Sequence, residues 1–202
     1  DLDGDLDLLA IQEENDDQFM LYLNEGLDEE GTPKFEQAYT YNREYGDISA
    51  SRIIAIADYD NDGDQDVYVG RKFGYNWFFE NQTLTGDPGD VVYNSTPEPF
   101  FIEKAVELGI ADSDVDPIGS MGYGAAWGDY DNDQDFDLYL ANTGVNRLYR
   151  NDDNIFTNVA DVQNLESDIH SNGLSWGDYN NDGLLDIWTS DFRNTDDVFI
   201  NL

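Results

Sequence analysis

The sequence predicts an all-β protein built from repeated units of four short antiparallel strands. Three observations predict it. One acidic nine-residue stretch returns about four times, apolar β-rich runs flank each copy, and turn-forming residues separate those runs at short intervals. The complete copies begin at Asp58, Asp129 and Asp178, so their starts lie 71 and then 49 residues apart and the units differ in their insertions. Four short strands repeated on this scale read as blades of a β-propeller, and a solenoid of shorter repeats fits worse. A full propeller has about four to eight blades, so the chain reads as an incomplete ring.

The repeated stretch carries the chemistry. Its copies are Asp58-Tyr-Asp60-Asn-Asp62-Gly63-Asp64-Gln-Asp66, Asp129-Tyr-Asp131-Asn-Asp133-Gln134-Asp135-Phe-Asp137 and Asp178-Tyr-Asn180-Asn-Asp182-Gly183-Leu184-Leu-Asp186. The chain opens inside a fourth copy, Asp1, Asp3, Asp5 and Asp7, entering at the third position. That is the expectation for a segment of a longer chain. Alternating acids on a tight turn present oxygens to one side, and calcium takes six to eight oxygens at about 2.3–2.6 Å in flexible geometry. Positions 1, 3, 5 and 9 would give side-chain oxygens, and position 7 (Asp64, Asp135, Leu184) a backbone carbonyl. Asn180 lowers the ligand charge of the last loop. Glycine at position 6 permits positive φ. Gln134 in that place is expected to adopt it under strain.

These loops are not EF-hands. An EF-hand needs a bidentate Glu at position 12 and a helix on either side. Position 12 here is Val69, Leu140 or Thr189, and the flanking runs are short and β-rich. Each loop therefore joins the first and second strands of a unit. The reading is calcium at three complete loops, with a fourth truncated.

In chain order, the first loop is followed by runs at Leu8–Ile11, Phe19–Leu23 and Phe35–Tyr39, a partial blade over 1–51. The second unit, 52–111, runs from Arg52–Ala57 through its loop to Val67–Val69, Tyr75–Phe79, a polar excursion from Asn81 to Pro99, and Phe100–Ile102. The third, 112–161, has Gly124–Gly128, Leu138–Ala141, Asn146–Tyr149 and Ile155–Val159. The fourth, 162–202, is partial and ends with Ile187–Trp188 and Val198–Ile200. All four form one domain.

The run from Gly124 to Asn142, followed by Asn146-Arg-Leu-Tyr-Arg-Asn151 and Phe156-Thr-Asn-Val159, resembles the FG-GAP/VCBS repeat family. The likeness covers nearly the whole chain. It implies a calcium-stiffened β-propeller, as in integrin α-chain heads and cartilage acidic protein-like proteins. Gln134 and Asn180 depart from the family pattern without removing the loop.

Composition bounds the function. An apolar content of 40% with 14% aromatics excludes a disordered acidic tail, despite 45 acids against nine bases and a formal charge of −36. Bound calcium would offset part of that charge. The remaining excess speaks against a nucleic-acid partner and suits an extracellular or cell-surface setting. Cysteine is absent, and no apolar run approaches a membrane span.

Trp127 and Trp176 each precede a loop's first Asp by two residues, which argues for packing between blades over sugar stacking. Trp77 and Trp188 do not repeat in this way and keep both readings. His170, the single histidine, has no organised acid partner. Asp112-Ser-Asp114-Val-Asp116 imitates a loop but lacks position 9 and reads as a connection. Asn81 and Asn94 open glycosylation sequons.

No nucleophile–base order, zinc motif or phosphate-binding glycine loop appears. The expected function is a binding module for a protein or glycan ligand, not an enzyme. A structural subunit whose incomplete terminal blades are completed by self-association is the alternative. A propeller-fold polysaccharide lyase ranks behind both.

Overall fold

Successive antiparallel sheets account for the strands of this computed structural model. It describes residues 6–12, 18–42, 51–72, 74–85, 92–93, 100–112, 122–163, 165, 168–191 and 196–202. The first sheet orders β1 (Leu8–Gln12), β2 (Gln18–Leu27) and β3 (Pro33–Asn42). The second begins with β4 (Ser51–Ala57), β5 (Asp66–Arg71) and β6 (Trp77–Asn81). The polar excursion then forms a ribbon of β7 (Leu84–Thr85) and β8 (Val92–Tyr93), and β9 (Phe101–Glu103) returns beside β6. The third has β10 (Gly122–Gly128), β11 (Asp137–Val145), β12 (Arg147–Asp152) and β13 (Ile155–Asn158). The fourth has β14 (Asp168–Gly177), β15 (Asp186–Asp191) and β16 (Asp197–Phe199). No helix occurs among the described residues.

The third and fourth sheets are not separate. Strand β12 pairs only with Leu138–Leu140 of the nine-residue β11, which leaves the far end of β11 with open backbone groups. An open edge pairs with whatever strand is at hand. Here Thr143–Val145 pairs with Asp168–His170 of β14, joining the two sheets into one. Units of uniform four-strand blades did not anticipate this, because the extra pairing depends on how far β11 runs past its neighbour.

Side-chain alternation along the second strand of each unit sets the packing. Successive residues of a strand point to opposite faces. Val67 and Val69 join Phe19, Leu21, Trp77, Phe79 and Phe101 in the seam between the first and second sheets. Tyr68 points the other way, into a seam with Phe78, Leu138, Leu140 and Tyr149 between the second and third. Tyr139 turns from its neighbours into a third seam with Leu148, Val159 and Ile187. Each sheet thus buries both faces wherever a sheet lies on either side, which explains why β5 is buried along its whole length.

Aromatic rings fill these seams. Phe19 stacks on Phe79 with centroids 4.5 Å apart and planes at 11°. Trp127 meets Phe78 and Tyr68 edge-on at 5.9 and 6.4 Å, so its ring packs between sheets as its repeated position foretold. Trp176 does the same one sheet later. A Cβ on Gly128 would lie 3.0 Å from the Trp176 ring, so any larger residue there would press on the indole. Trp77 is buried under the Arg71 guanidinium, 4.2 Å from its ring centroid, which makes it core. The β12–β13 hairpin turns at Asp153-Asn154, both with positive φ (52° and 66°), the requirement of a type I′ turn.

Candidate metal centres

Each complete loop closes between paired residues. Ala57 faces Asp66, Gly128 faces Asp137 and Gly177 faces Asp186, so the ninth-position aspartate is the first residue of the returning strand. Between those ends the backbone must reverse. Two left-handed residues do it in every loop. Position 4 is Asn61, Asn132 or Asn181, with φ of 59°, 61° and 62°, and asparagine tolerates that region better than other side chains. Position 6 is Gly63 or Gly183 (φ 102° and 91°), and Gln134 takes φ 82° in the same place, as its position demanded.

Of the side-chain positions expected to face a cation, 1, 3, 5 and 9, three converge in the second and third loops. Oxygens of Asp58, Asp60 and Asp66 lie within 4.8 Å of one another, and so do those of Asp129, Asp131 and Asp137. Positions 1, 3 and 9 thus form the cluster in both loops. Position 5 accepts a backbone bond instead: Asp62 from the Asp64 amide at 3.0 Å and Asp133 from the Asp135 amide at 2.9 Å. At position 1, Asp129 accepts loop amides through both oxygens, from Asp133 at 3.0 Å and Gln134 at 3.1 Å, whereas Asp58 accepts the Gly63 amide through Oδ2 at 3.0 Å. The other oxygen, Asp58 Oδ1, is buried with no hydrogen-bond partner. A buried, orphaned carboxylate oxygen facing two further acids is what an oxygen-seeking cation would satisfy. The donor set fits a hard divalent ion such as calcium.

Position 7 shows a use beyond its carbonyl. Asp64 Oδ2 accepts the Leu84 amide at 2.6 Å, and Asp135 Oδ2 accepts the Asp153 amide at 2.9 Å. These carboxylates tie the loop to a later segment of its unit, the β7–β8 ribbon for Asp64 and the β12–β13 turn for Asp135. Leu184 cannot do so in the fourth loop.

Burial, with repulsion among the acids added to it, raises the pKa values of these carboxylates. Burial pushes Asp66 up to about 9, with Asp60 and Asp64 adding repulsion, although the Asn81 and Tyr59 amides pull the other way. Burial likewise raises Asp137 and Asp64 to about 7, and Asp60 to about 6. Without a cation, these groups hold protons more readily than ordinary aspartates do.

The fourth loop keeps the same backbone scheme in a more exposed setting. Asp178 accepts the amides of Asp182 and Gly183 at 3.1 and 3.0 Å, while Asn180 Oδ1 accepts the Asp182 amide at 2.8 Å. Asp186 is fully buried. Of the first loop, Asp1, Asp3 and Asp5 lie outside the described residues. Asp7 accepts the Asn24 amide at 2.9 Å.

That last bond belongs to a set the sequence reading missed. Asn24, Asn81, Asn151 and Asn201 each give a backbone N–H to the ninth-position carboxylate of their own unit, Asp7, Asp66, Asp137 and Asp186, at 2.8–2.9 Å. Each also donates its side-chain amide to the carbonyl at position 8, at 3.2–3.4 Å. The signal was present as aromatic-x-Asn on the third strand: Tyr22-Leu-Asn24, Phe79-Glu-Asn81, Tyr149-Arg-Asn151 and Phe199-Ile-Asn201. The amide of Asn81 is therefore engaged within its sequon. Asn94 lies outside the described residues.

Asp112 does more than connect. It is buried at positive φ (49°), with Oδ1 3.4 Å from Arg147 Nε and Oδ2 accepting the Asn142 amide at 3.0 Å. Asp114 and Asp116 lie outside the described residues. His170 sits on β14 opposite Thr143. No described helix is long and apolar enough to cross a membrane.

No curated protein matches the chain. The model of the FG-GAP-like repeat matches residues 1–69 and 111–189, segments that contain every copy of the acidic loop and more than half of the sequence. On that match, and on strands and acidic loops laid out as its repeats require, the chain belongs to the FG-GAP-like repeat family.

Proposed function

We propose that the chain is a calcium-stiffened β-propeller segment acting outside the cell as a binding module for a protein or glycan ligand. The observation that supports it best is the convergence of positions 1, 3 and 9 in the second and third loops within 4.8 Å. Both loops sit beside seams where sheets pack face to face, so a cation there would fix the turn from which each packed strand starts. Its role in this reading is structural, and the chain turns nothing over. Calcium at the second, third and fourth loops would draw on Asp58, Asp60 and Asp66, on Asp129, Asp131 and Asp137, and on Asp178, Asn180 and Asp186, with position 7 adding its carbonyl. Calorimetric titration tests it: calcium should bind at several sites, more tightly than magnesium at equal concentration. A single site, or a preference for magnesium, would overturn the reading. Release of unsaturated sugars from an acidic polysaccharide would overturn the non-enzymatic part.

One observation favours a second reading. Leu8 on the first sheet and Val198 at the fourth are 49% exposed, whereas the matching positions of the inner sheets, Val67 and Leu138 for the one and Phe78 and Leu148 for the other, are buried. A structural subunit that covers these faces with neighbouring copies would use them. Light scattering against calcium concentration separates the two, because only the second predicts growth of particle mass.

A further inference from the structure

Neighbouring acidic loops are tied together by asparagine side chains outside the candidate ligand set. Asn151, fully buried, donates through Nδ2 to Tyr59 O of the second loop at 3.0 Å while its backbone N–H holds Asp137 of the third loop at 2.9 Å. Asn201 repeats the arrangement one sheet later, donating to Tyr130 O of the third loop at 2.7 Å and holding Asp186 of the fourth at 2.8 Å. A second tie runs alongside. Asn61 Nδ2 reaches Asp135 Oδ1 at 3.1 Å and Gln134 O at 3.4 Å, and Asn132 Nδ2 reaches Gly183 O at 3.3 Å.

We propose that Asn151 and Asn201 are positioning residues that couple cation binding between adjacent loops, the second to the third and the third to the fourth. The inference rests on the calcium reading above. The Tyr59 carbonyl belongs to the peptide that joins Tyr59 to Asp60, and the Tyr59 N–H, in the peptide from Asp58, donates to Asp66 Oδ2 at 3.2 Å. Asn151 therefore grips the residue that stands between Asp58 and Asp60 in the chain and that holds Asp66 through its N–H. A cation in the third loop that fixes Asp137 also fixes the backbone of Asn151, and with it the amide aimed at Tyr59. The second loop is then ordered before its own cation arrives. Binding that pre-orders a neighbour lowers the neighbour's ordering cost, and such coupling is reciprocal.

The orientation of Asn151 supports a bridging role. Its Oδ1 is buried without a partner. An amide serving only its own sheet would be free to turn that oxygen toward a donor. The two carbonyls, Tyr59 O and Phe136 O, hold it in place.

The test is a thermodynamic cycle on the full chain with the fourth loop silenced by Asp178→Ala. Calcium affinity of the second loop is measured calorimetrically with the third loop intact and with it silenced by Asp129→Ala. The expected result is a dissociation constant at least about fivefold weaker when the third loop is silent, in the usual range of coupling. Asn151→Ala should shrink that ratio below about twofold, whatever it does to each affinity alone. A residue that merely supports the fold would shift affinities and leave the ratio. If Asn151→Ala fails to fold, Asn201→Ala gives the same cycle for the third and fourth loops, with the second silenced by Asp58→Ala. A second-loop affinity indifferent to the third loop, or a ratio that survives the asparagine variant, overturns the coupling and leaves the calcium reading standing. Absence of calcium binding at any loop overturns both.

Discussion

Replacing Gln134 by glycine should stabilise the protein, and the loop geometry says by how much. Gln134 holds φ at 82°, the value range its counterparts Gly63 and Gly183 occupy at 102° and 91°. A non-glycine residue in that region carries strain of about 1–3 kcal/mol. Glycine loses more chain freedom on folding, which returns about 0.5–1 kcal/mol. The net gain is about 0.5–2 kcal/mol, or roughly 1–8 °C in melting temperature for a chain of this size. The contacts that matter are backbone ones and survive the change: the Gln134 amide donates to Asp129 Oδ2 at 3.1 Å, and its carbonyl accepts from Asn61. Scanning calorimetry in calcium measures the shift. Gly183→Ala is the mirror experiment, since a Cβ there meets nothing within 4 Å and any loss is backbone strain alone. Gly63→Ala should lose more, because its Cβ would lie 3.3 Å from Leu84 Cδ1. A Gln134→Gly protein that melts at or below the parent, while Gly183→Ala falls, would refute the argument that position 6 is strained.

Calcium should raise the melting temperature and protect the loops from proteolysis. With extracellular sites binding at about 10⁻⁴–10⁻³ M, a tenfold excess adds about 1.4 kcal/mol per site, or about 4 kcal/mol over three sites. Chelation should expose cleavage near Asp58, Asp129 and Asp178, and loops that stay uncut in chelator would contradict it. Metal-free protein should lose stability as pH rises from about 4 to 9. Asp60, Asp64, Asp66 and Asp137 are raised to between about 6 and about 9 by burial, so the folded state binds protons that the unfolded chain has released. Melting at pH 5 and pH 8 in chelator checks the sign, and calcium should remove or reverse the slope. Gly128→Ala should cost about 1–3 kcal/mol by overpacking, since its Cβ would meet the Trp176 ring at 3.0 Å. Gly144→Ala, with nothing within 4 Å, is the control read in the same unfolding titration.

Local pattern made the strands and loops legible. Alternating acids between apolar runs singled out positions 1, 3, 5 and 9 before any contact was known, of which 1, 3 and 9 converge, and the matched positions of Trp127 and Trp176 announced inter-sheet packing. Gln134 was readable because a turn fixes φ whatever residue occupies it. The features that were not legible join residues far apart in sequence. The Asn151–Tyr59 bond spans 92 residues, and the β11–β14 pairing depends on strand lengths rather than composition. Asp112 looked like part of a polar connection because its partners, Asn142 and Arg147, lie 30 and 35 residues further on in the same unit. A motif scan tuned to carboxylates also passes over amides. Asn24, Asn81, Asn151 and Asn201 carried no charge to draw attention, yet they repeat as faithfully as the acids they hold.

The two kinds of repeat divide the physical task between them. Apolar seams attract sheets face to face, but the hydrophobic effect has no direction and would tolerate slippage of one sheet on the next. The acidic loops and their asparagines supply direction. Each asparagine fixes its own strand to its own loop, and Asn151 and Asn201 reach one loop further back. A chain that spaces its complete loops by 71 and 49 residues can therefore vary its outer strands freely, as the β7–β8 ribbon shows, while the loops keep their mutual placement. The same arrangement concentrates negative charge in a row along one side of the sheets, where Asp135 of one loop meets Asn61 of the next. Like charges about 4 Å apart repel by about 1 kcal/mol even in water, and by more once partly buried. On the proposed reading, cations in such a row would relieve that repulsion, and metal and the packing between sheets should then be gained and lost together.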